Sequence, residues 1–165
     1  MLNEFQINRV WENMLSAETR SLYFADLASR YTRRKQMITG ASFFLSSAAA
    51  ASLIGRLPPW VPLVMSGCVA LTTAYSIAVA LDRKMQTMMK LHSSWSQIAA
   101  EYDRLWNHST EADAEAQLDR IIQLEKDPSE LATTEAPNDQ KLLGQWEDHV
   151  FSMYRLTGQH GSTPC

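Results

Sequence analysis

Between Gln36 and Leu81 the chain carries a single charged residue, Arg56, while every other Asp, Glu, Lys and Arg lies before or after that stretch. A water-soluble helical bundle distributes charge over all its helices, because each needs a solvated face. Segregation of this kind predicts a membrane-embedded middle. Met37 to Gly55 gives nineteen uncharged residues, and Trp60 to Leu81 is longer and also uncharged. At a helical rise of roughly 1.5 Å per residue, each stretch reaches the ~30 Å of a hydrocarbon core. Arg56-Leu57-Pro58-Pro59 between them allows almost no loop, so the two helices are expected to form an antiparallel hairpin. The expected fold class is therefore an all-α membrane protein. Its transmembrane hairpin (37–55 and 60–81) is flanked by an N-terminal helix over 1–36, a cytoplasmic helical region over 82–157 and a disordered tail over 158–165.

Charge sets the orientation. Arg33, Arg34 and Lys35 precede the first stretch and Arg83 and Lys84 follow the second, against Arg56 alone in the turn. The positive-inside rule then places both termini in the cytoplasm, with Trp60 as an interfacial anchor. Some thirty-five mostly polar residues precede the first apolar run, which is not the layout of a cleavable secretory signal. The segment from Asp82 onward has eight basic against fourteen acidic residues, a balance that disfavours nonspecific nucleic-acid binding. Cys68 and Cys165 supply neither a disulfide framework nor metal spacing.

The composition of the two stretches points to association. Thr39, Ser42, Ser46 and Leu53 fall on one helical stripe, and Cys68, Thr72, Tyr75 or Ser76, and Val79 on another. Ala70, Ala74 and Ala78 recur every four residues, with Gly67 extending the ridge, so a neighbouring helix can approach closely. In an oligomer, a tetramer for instance, Thr39, Ser42, Ser46, Thr72 and Ser76 become candidates to line a pore. The competing account is that these hydroxyls bond to carbonyls of their own preceding turn and merely pack helices.

Beyond the second stretch, Leu81, Met85, Met88, His92, Trp95, Ala99, Tyr102 and Trp106 alternate spacings of four and three, a heptad seam predicting that the second membrane helix runs on without a break. Its expected partner is the N-terminal helix with Val10, Trp11, Met14, Leu15, Leu22, Leu27 and Tyr31. A break at 107–110, a short helix over 111–126, a loop over 127–138 holding Pro128 and Pro137, and a final helix over 139–156 complete the expected order. Arg30, Arg33, Arg34, Lys35, Arg83, Lys84 and Lys90 are candidates to hold an anionic ligand, or act simply as topology determinants beside anionic lipid. No GxGxxG, phosphate-loop, HExxH, CxxC or GxSxG pattern is present and the four histidines lack metal spacing. An enzyme, a cofactor and a metal centre are not expected.

The N-terminal helix ending in Arg30-Tyr31-Thr32-Arg33-Arg34-Lys35, the two apolar stretches with their Pro-containing turn, and the long helix bearing His92, Trp95, Ala99, Tyr102 and Leu105 together resemble the SLATT family of two-helix membrane effectors. The resemblance implies an oligomeric pore in the inner membrane of a bacterium, acting in antiphage defence. Its opening would answer a nucleotide or oligonucleotide made by a partner nucleotidyltransferase. Two rival readings remain: a noncatalytic membrane scaffold that recruits a partner through its heptad helix, and a soluble helical regulator with a buried hairpin.

Overall fold

The computed structural model describes residues 2–54, 58, 60–78 and 80–160, with the side chains of 48–54, 62, 65, 76–78 and 156–160 excepted. The protein is all-α. Its helices are α1 (Glu4–Ile54), α2 (Trp60–Ala78), α3 (Leu81–Asn107), α4 (Ala114–Leu124), α5 (Lys126–Glu135) and α6 (Gln140–His160). Glu125 alone separates α4 from α5 and keeps helical dihedrals (φ −72, ψ −21), so the pair is one bent rod and the described residues hold five rods. Two compact units result. The first comprises Met1–Asp26 with Thr87–Cys165, and the second Leu27–Gln86.

The first unit is built on the antiparallel pairing of early α1 with α3. Trp11 meets Trp106 at 5.1 Å between ring centroids, Asn13 donates to the Tyr102 hydroxyl at 3.4 Å, and Ser21 meets His92 at 3.0 Å. The heptad expectation for α3 is met with a shift. The most deeply buried line runs Met88, Leu91, Trp95, Ile98, Tyr102 and Leu105, still at alternating three and four, while His92, Ala99 and Trp106 sit at its margin. Leu91, Ile98 and Leu105 repeat every seven residues and widen the stripe so that α3 serves more than one neighbour, as a core-facing helix requires. On α1 the buried face holds Val10, Met14, Leu15 and Ala17, and then Tyr23 and Phe24. α6 returns antiparallel along α1, with Tyr154 edge-on to Trp11 and the Tyr23 hydroxyl donating to the Pro137 carbonyl at 2.5 Å.

In the second unit the expected hairpin is antiparallel. Ser42 faces Thr72 at 3.2 Å, and Lys35 pairs with Asp82 at 2.6 Å. Val61 donates to the Pro58 carbonyl at 3.0 Å, closing the first turn of α2. The turn residues 55–57 and 59 lie outside the described residues.

Four expectations need correction. Among the described residues no helix is long and apolar enough to cross a membrane. The expected spans fall on distal α1 and on α2; the first is diluted by Thr39, Gly40, Ser42, Ser46 and Ser47, and α2 ends at Ala78. Second, α2 does not continue into α3: Ala80 has φ 47, and Lys84 donates to the Ala80 carbonyl at 3.1 Å as a new helix starts. The restart puts Asp82 in the first turn of α3, where a carboxylate favours the positive end of the helix dipole. Third, 127–138 is mostly α5 rather than loop. Pro128 is in the first turn, where its missing N–H would have had no intrahelical acceptor. Fourth, α6 runs on past Gly158 to His160, and only 161–165 of the expected tail lie outside the described residues.

Two stability outcomes follow. Alanine at Ala80 adopts a left-handed backbone that disfavours any residue with a Cβ, so Ala80→Gly should stabilise by about 1 kcal/mol and raise the melting temperature. Leu105, fully buried on α3, should cost about 2–5 kcal/mol when cut to alanine, read by chemical denaturation.

Candidate functional site

The candidate pore residues belong to the second unit. Ser42 and Thr72 face each other across the hairpin. Ser46 donates to the Ser42 carbonyl at 2.8 Å, and Thr72 to the Cys68 and Val69 carbonyls at 3.0 Å each. Ser47 and Thr73 do the same with Phe43 and Val69. These hydroxyls therefore satisfy themselves on their own helix or across the hairpin, as the packing account expects. Thr39 is exposed, and the Ser76 side chain lies outside the described residues. Carbon dominates what the hairpin shows: Phe43 and Leu63 are each 75% exposed and Leu71 73%, with Met37, Phe44 and Val64 also open.

The basic candidates divide between the two units. Lys35 is committed to Asp82, which brings Arg83 and Lys84 close along the chain. Arg30, Arg33, Arg34, Arg83 and Lys84 are exposed, and Arg30 and Arg83 have partners of their own. Lys90 belongs to the first unit, where it borders a cleft with Ser94, Gln97, Asp127 and Pro128.

His92, placed by its spacing in the α3 seam as a partly buried side chain with a hydrogen bond, has that role in the first unit. His92 Nδ1 lies 2.9 Å from the Ser21 carbonyl and 3.0 Å from its hydroxyl. A carbonyl only accepts, so Nδ1 carries a proton that it donates to the Ser21 carbonyl. His92 borders a cavity of about 330 Å³ with Glu18, Asp103 and Tyr154. The Tyr154 hydroxyl donates to Glu18 at 2.6 Å, and burial, with Glu18 beside it, pushes its pKa far above the usual phenol range. Tyr102 is raised likewise, first by burial and then by the Glu125 carboxylate. Both phenols thus keep their protons.

A second cavity, about 510 Å³, is bordered by Arg20, Tyr23, Phe24, Trp95, Thr133 and Asn138 among others. The Arg20 guanidinium lies over the Trp95 ring at 4.5 Å from its centroid, a cation–π contact. Trp95 is 1% exposed, yet its indole Nε1–H has no acceptor among the described residues. An orphaned buried donor costs about 1–3 kcal/mol. No sequence pattern joins Arg20 to Trp95, because they meet only through the α1–α3 packing.

Since Thr72 keeps two carbonyl acceptors without Ser42, Ser42→Ala should lower stability by under about 1 kcal/mol in a thermal melt. A loss of several kcal/mol would show that Ser42 holds the hairpin together.

No protein-family model, no curated protein and no solved structure matches this chain.

Proposed function

We propose that the protein is an oligomeric pore-forming effector of the bacterial inner membrane, noncatalytic, with both termini cytoplasmic, gated by a nucleotide or oligonucleotide signal. Its biological role, growth arrest in antiphage defence, follows the SLATT resemblance. The observation that carries the reading is the apolar exterior of the hairpin. Phe43, Phe44, Leu63, Val64 and Leu71 stand in the open, and burying each would gain about 1.5–3 kcal/mol. An exterior of this extent calls for lipid or for further copies of the chain. Because no described helix is by itself long and apolar enough to cross a membrane, the reading requires an assembly rather than a lone hairpin: Thr39, Ser46 and the Ala70–Ala74 ridge turn toward neighbouring copies, while the aromatic and leucine side chains meet lipid. A pore in such an assembly is lined by hydroxyls and small residues, without a charged ring.

One observation favours a second reading, the membrane-associated scaffold. The hydroxyls of Ser42, Ser46 and Thr72 are already satisfied within one hairpin, so they have no need of a pore's water. On that reading the apolar exterior recruits a partner and passes no ions.

Ion flux from liposomes containing the purified full chain separates the two. Ser46 is exposed and bonded only within its own helix, so Ser46→Leu leaves the fold intact. For a pore, the wild type conducts and Ser46→Leu lowers flux by roughly tenfold or more. Absence of flux from an inserted, oligomeric protein under every nucleotide added would remove the pore reading, and release by alkaline carbonate would remove the membrane reading altogether.

A further inference from the structure

We infer that the basic end of the hairpin, Arg33 and Arg34 of α1 with Lys84 of α3, is a binding surface for anionic phospholipid. The two units carry charge of opposite sign. The second, residues 27–86, holds seven basic residues and one acidic one, whereas the first holds eight basic and seventeen acidic. The cationic unit is also the one that exposes Phe43, Phe44, Leu63 and Leu71. Its basic residues are not scattered. Six of the seven lie at 30–35 and 83–84, and the seventh, Arg56, lies outside the described residues. The Lys35–Asp82 pair, at 2.6 Å, brings the two runs together at one end and neutralises the unit's single acidic side chain. Arg33, Arg34 and Lys84 are exposed and make no ion pair among the described residues.

The surface adjoining this end decides what it meets. α1 is continuous here, so Met37, also open, follows Arg34 by about one turn. Phe43 lies roughly 14 Å beyond Arg34 at the helical rise of ~1.5 Å per residue. That distance is close to the hydrocarbon depth of one leaflet, half of ~30 Å. A phospholipid presents phosphate and then hydrocarbon in the same order, whereas a free phosphate or a nucleic acid matches the charge and leaves the apolar neighbours in water. Arginine at 33 and 34 offers forks of donors for phosphate oxygens, and the hydrocarbon stems of all three side chains can lie along apolar surface while their heads stay among the headgroups. Each basic side chain adds attraction to a negative leaflet, which favours an anionic over a zwitterionic lipid. The assignment rests on the membrane location proposed above; neither the nucleotide signal nor ion conduction enters it.

The test uses the purified full chain in a neutral detergent. Dioctanoyl phosphatidylglycerol and dioctanoyl phosphatidylcholine serve as an anionic and a zwitterionic lipid of equal tails, glycerol 3-phosphate as the phosphate without tails, and a short oligoadenylate as a nucleic acid. Bound molecules are counted by native mass spectrometry. Phosphatidylglycerol should bind saturably and at least about tenfold more tightly than the other three. Arg33→Gln, Arg34→Gln and Lys84→Gln together should weaken it roughly hundredfold, from the increment each basic residue contributes. Arg33→Lys with Arg34→Lys, which keeps the charge, should stay within about tenfold of the wild type. Removing the same charge from the first unit, by Arg120→Gln, Lys126→Gln and Lys141→Gln at exposed positions, should leave binding unchanged. The assignment is overturned if the two lipids bind alike, if glycerol 3-phosphate or the oligoadenylate binds as tightly as phosphatidylglycerol, or if the first-unit changes weaken binding as much. Insertion into phosphatidylcholine liposomes separates this failure from that of the membrane reading. A chain that resists alkaline carbonate but does not distinguish the lipids loses only the lipid assignment, whereas a chain that carbonate releases loses both.

Discussion

The antiparallel packing of early α1 on α3 is the contact on which the rest of the first unit depends. Six α3 side chains from Met88 to Leu105 are nearly or wholly sealed from solvent, and the α1 residues opposite them include small ones such as Ala17 and Ser21 that allow the helices to approach. With that pair in place, α6 has a surface to return along, anchored at one end by Tyr23 and Pro137 and at the other by Trp11 and Tyr154. The bent α4–α5 rod closes a further side, with Pro128 and Ile121 buried. Buried polar groups follow the same order of dependence. Ser21 and His92, or Asn13 and Tyr102, are satisfied only because the two helices hold one register.

The second unit answers a different constraint. Its serines and threonines sit in a stretch with little competing polarity, and their nearest acceptors are carbonyls one turn back. Bonds of that kind hold for Ser46, Ser47, Thr72 and Thr73, which lowers the effective polarity of both helices without any other chain. The hydroxyls leave the hairpin's relation to its surroundings to the carbon side chains. Hydroxyl count alone is therefore a poor guide to whether such a stripe meets water, lipid or protein.

How much of this was legible in the sequence differs from element to element for physical reasons. The α3 seam and the antiparallel hairpin were readable because periodicity and a Pro-Pro turn are local signals. The restart at Ala80 was not, since Ile77-Ala78-Val79-Ala80-Leu81 contains no glycine or proline and the break shows only as a left-handed φ and a carboxylate placed to reach Lys35. α5 was misread as loop because Pro128 was taken as a breaker, although proline in a first turn costs nothing in hydrogen bonding. For the site, the basic residues flanking the apolar stretches were visible as a cluster in sequence. In the structure Lys35 is spent on Asp82, while Lys90 belongs to the other unit. Arg20 and Trp95 gave no signal, because neither spacing nor charge clustering links two residues that meet through tertiary packing.

The unmet needs of the two units differ in kind, and that difference is informative. Among the described residues of the first unit, the Trp95 indole N–H is the one fully sealed side-chain polar atom without a partner. In the second unit the polar groups are content and the apolar ones are not, so what is missing is hydrocarbon, which a small molecule cannot supply. α1 and α3 each contribute residues to both units, so these two helices are the covalent connection between the polar packing of the one and the apolar exterior of the other.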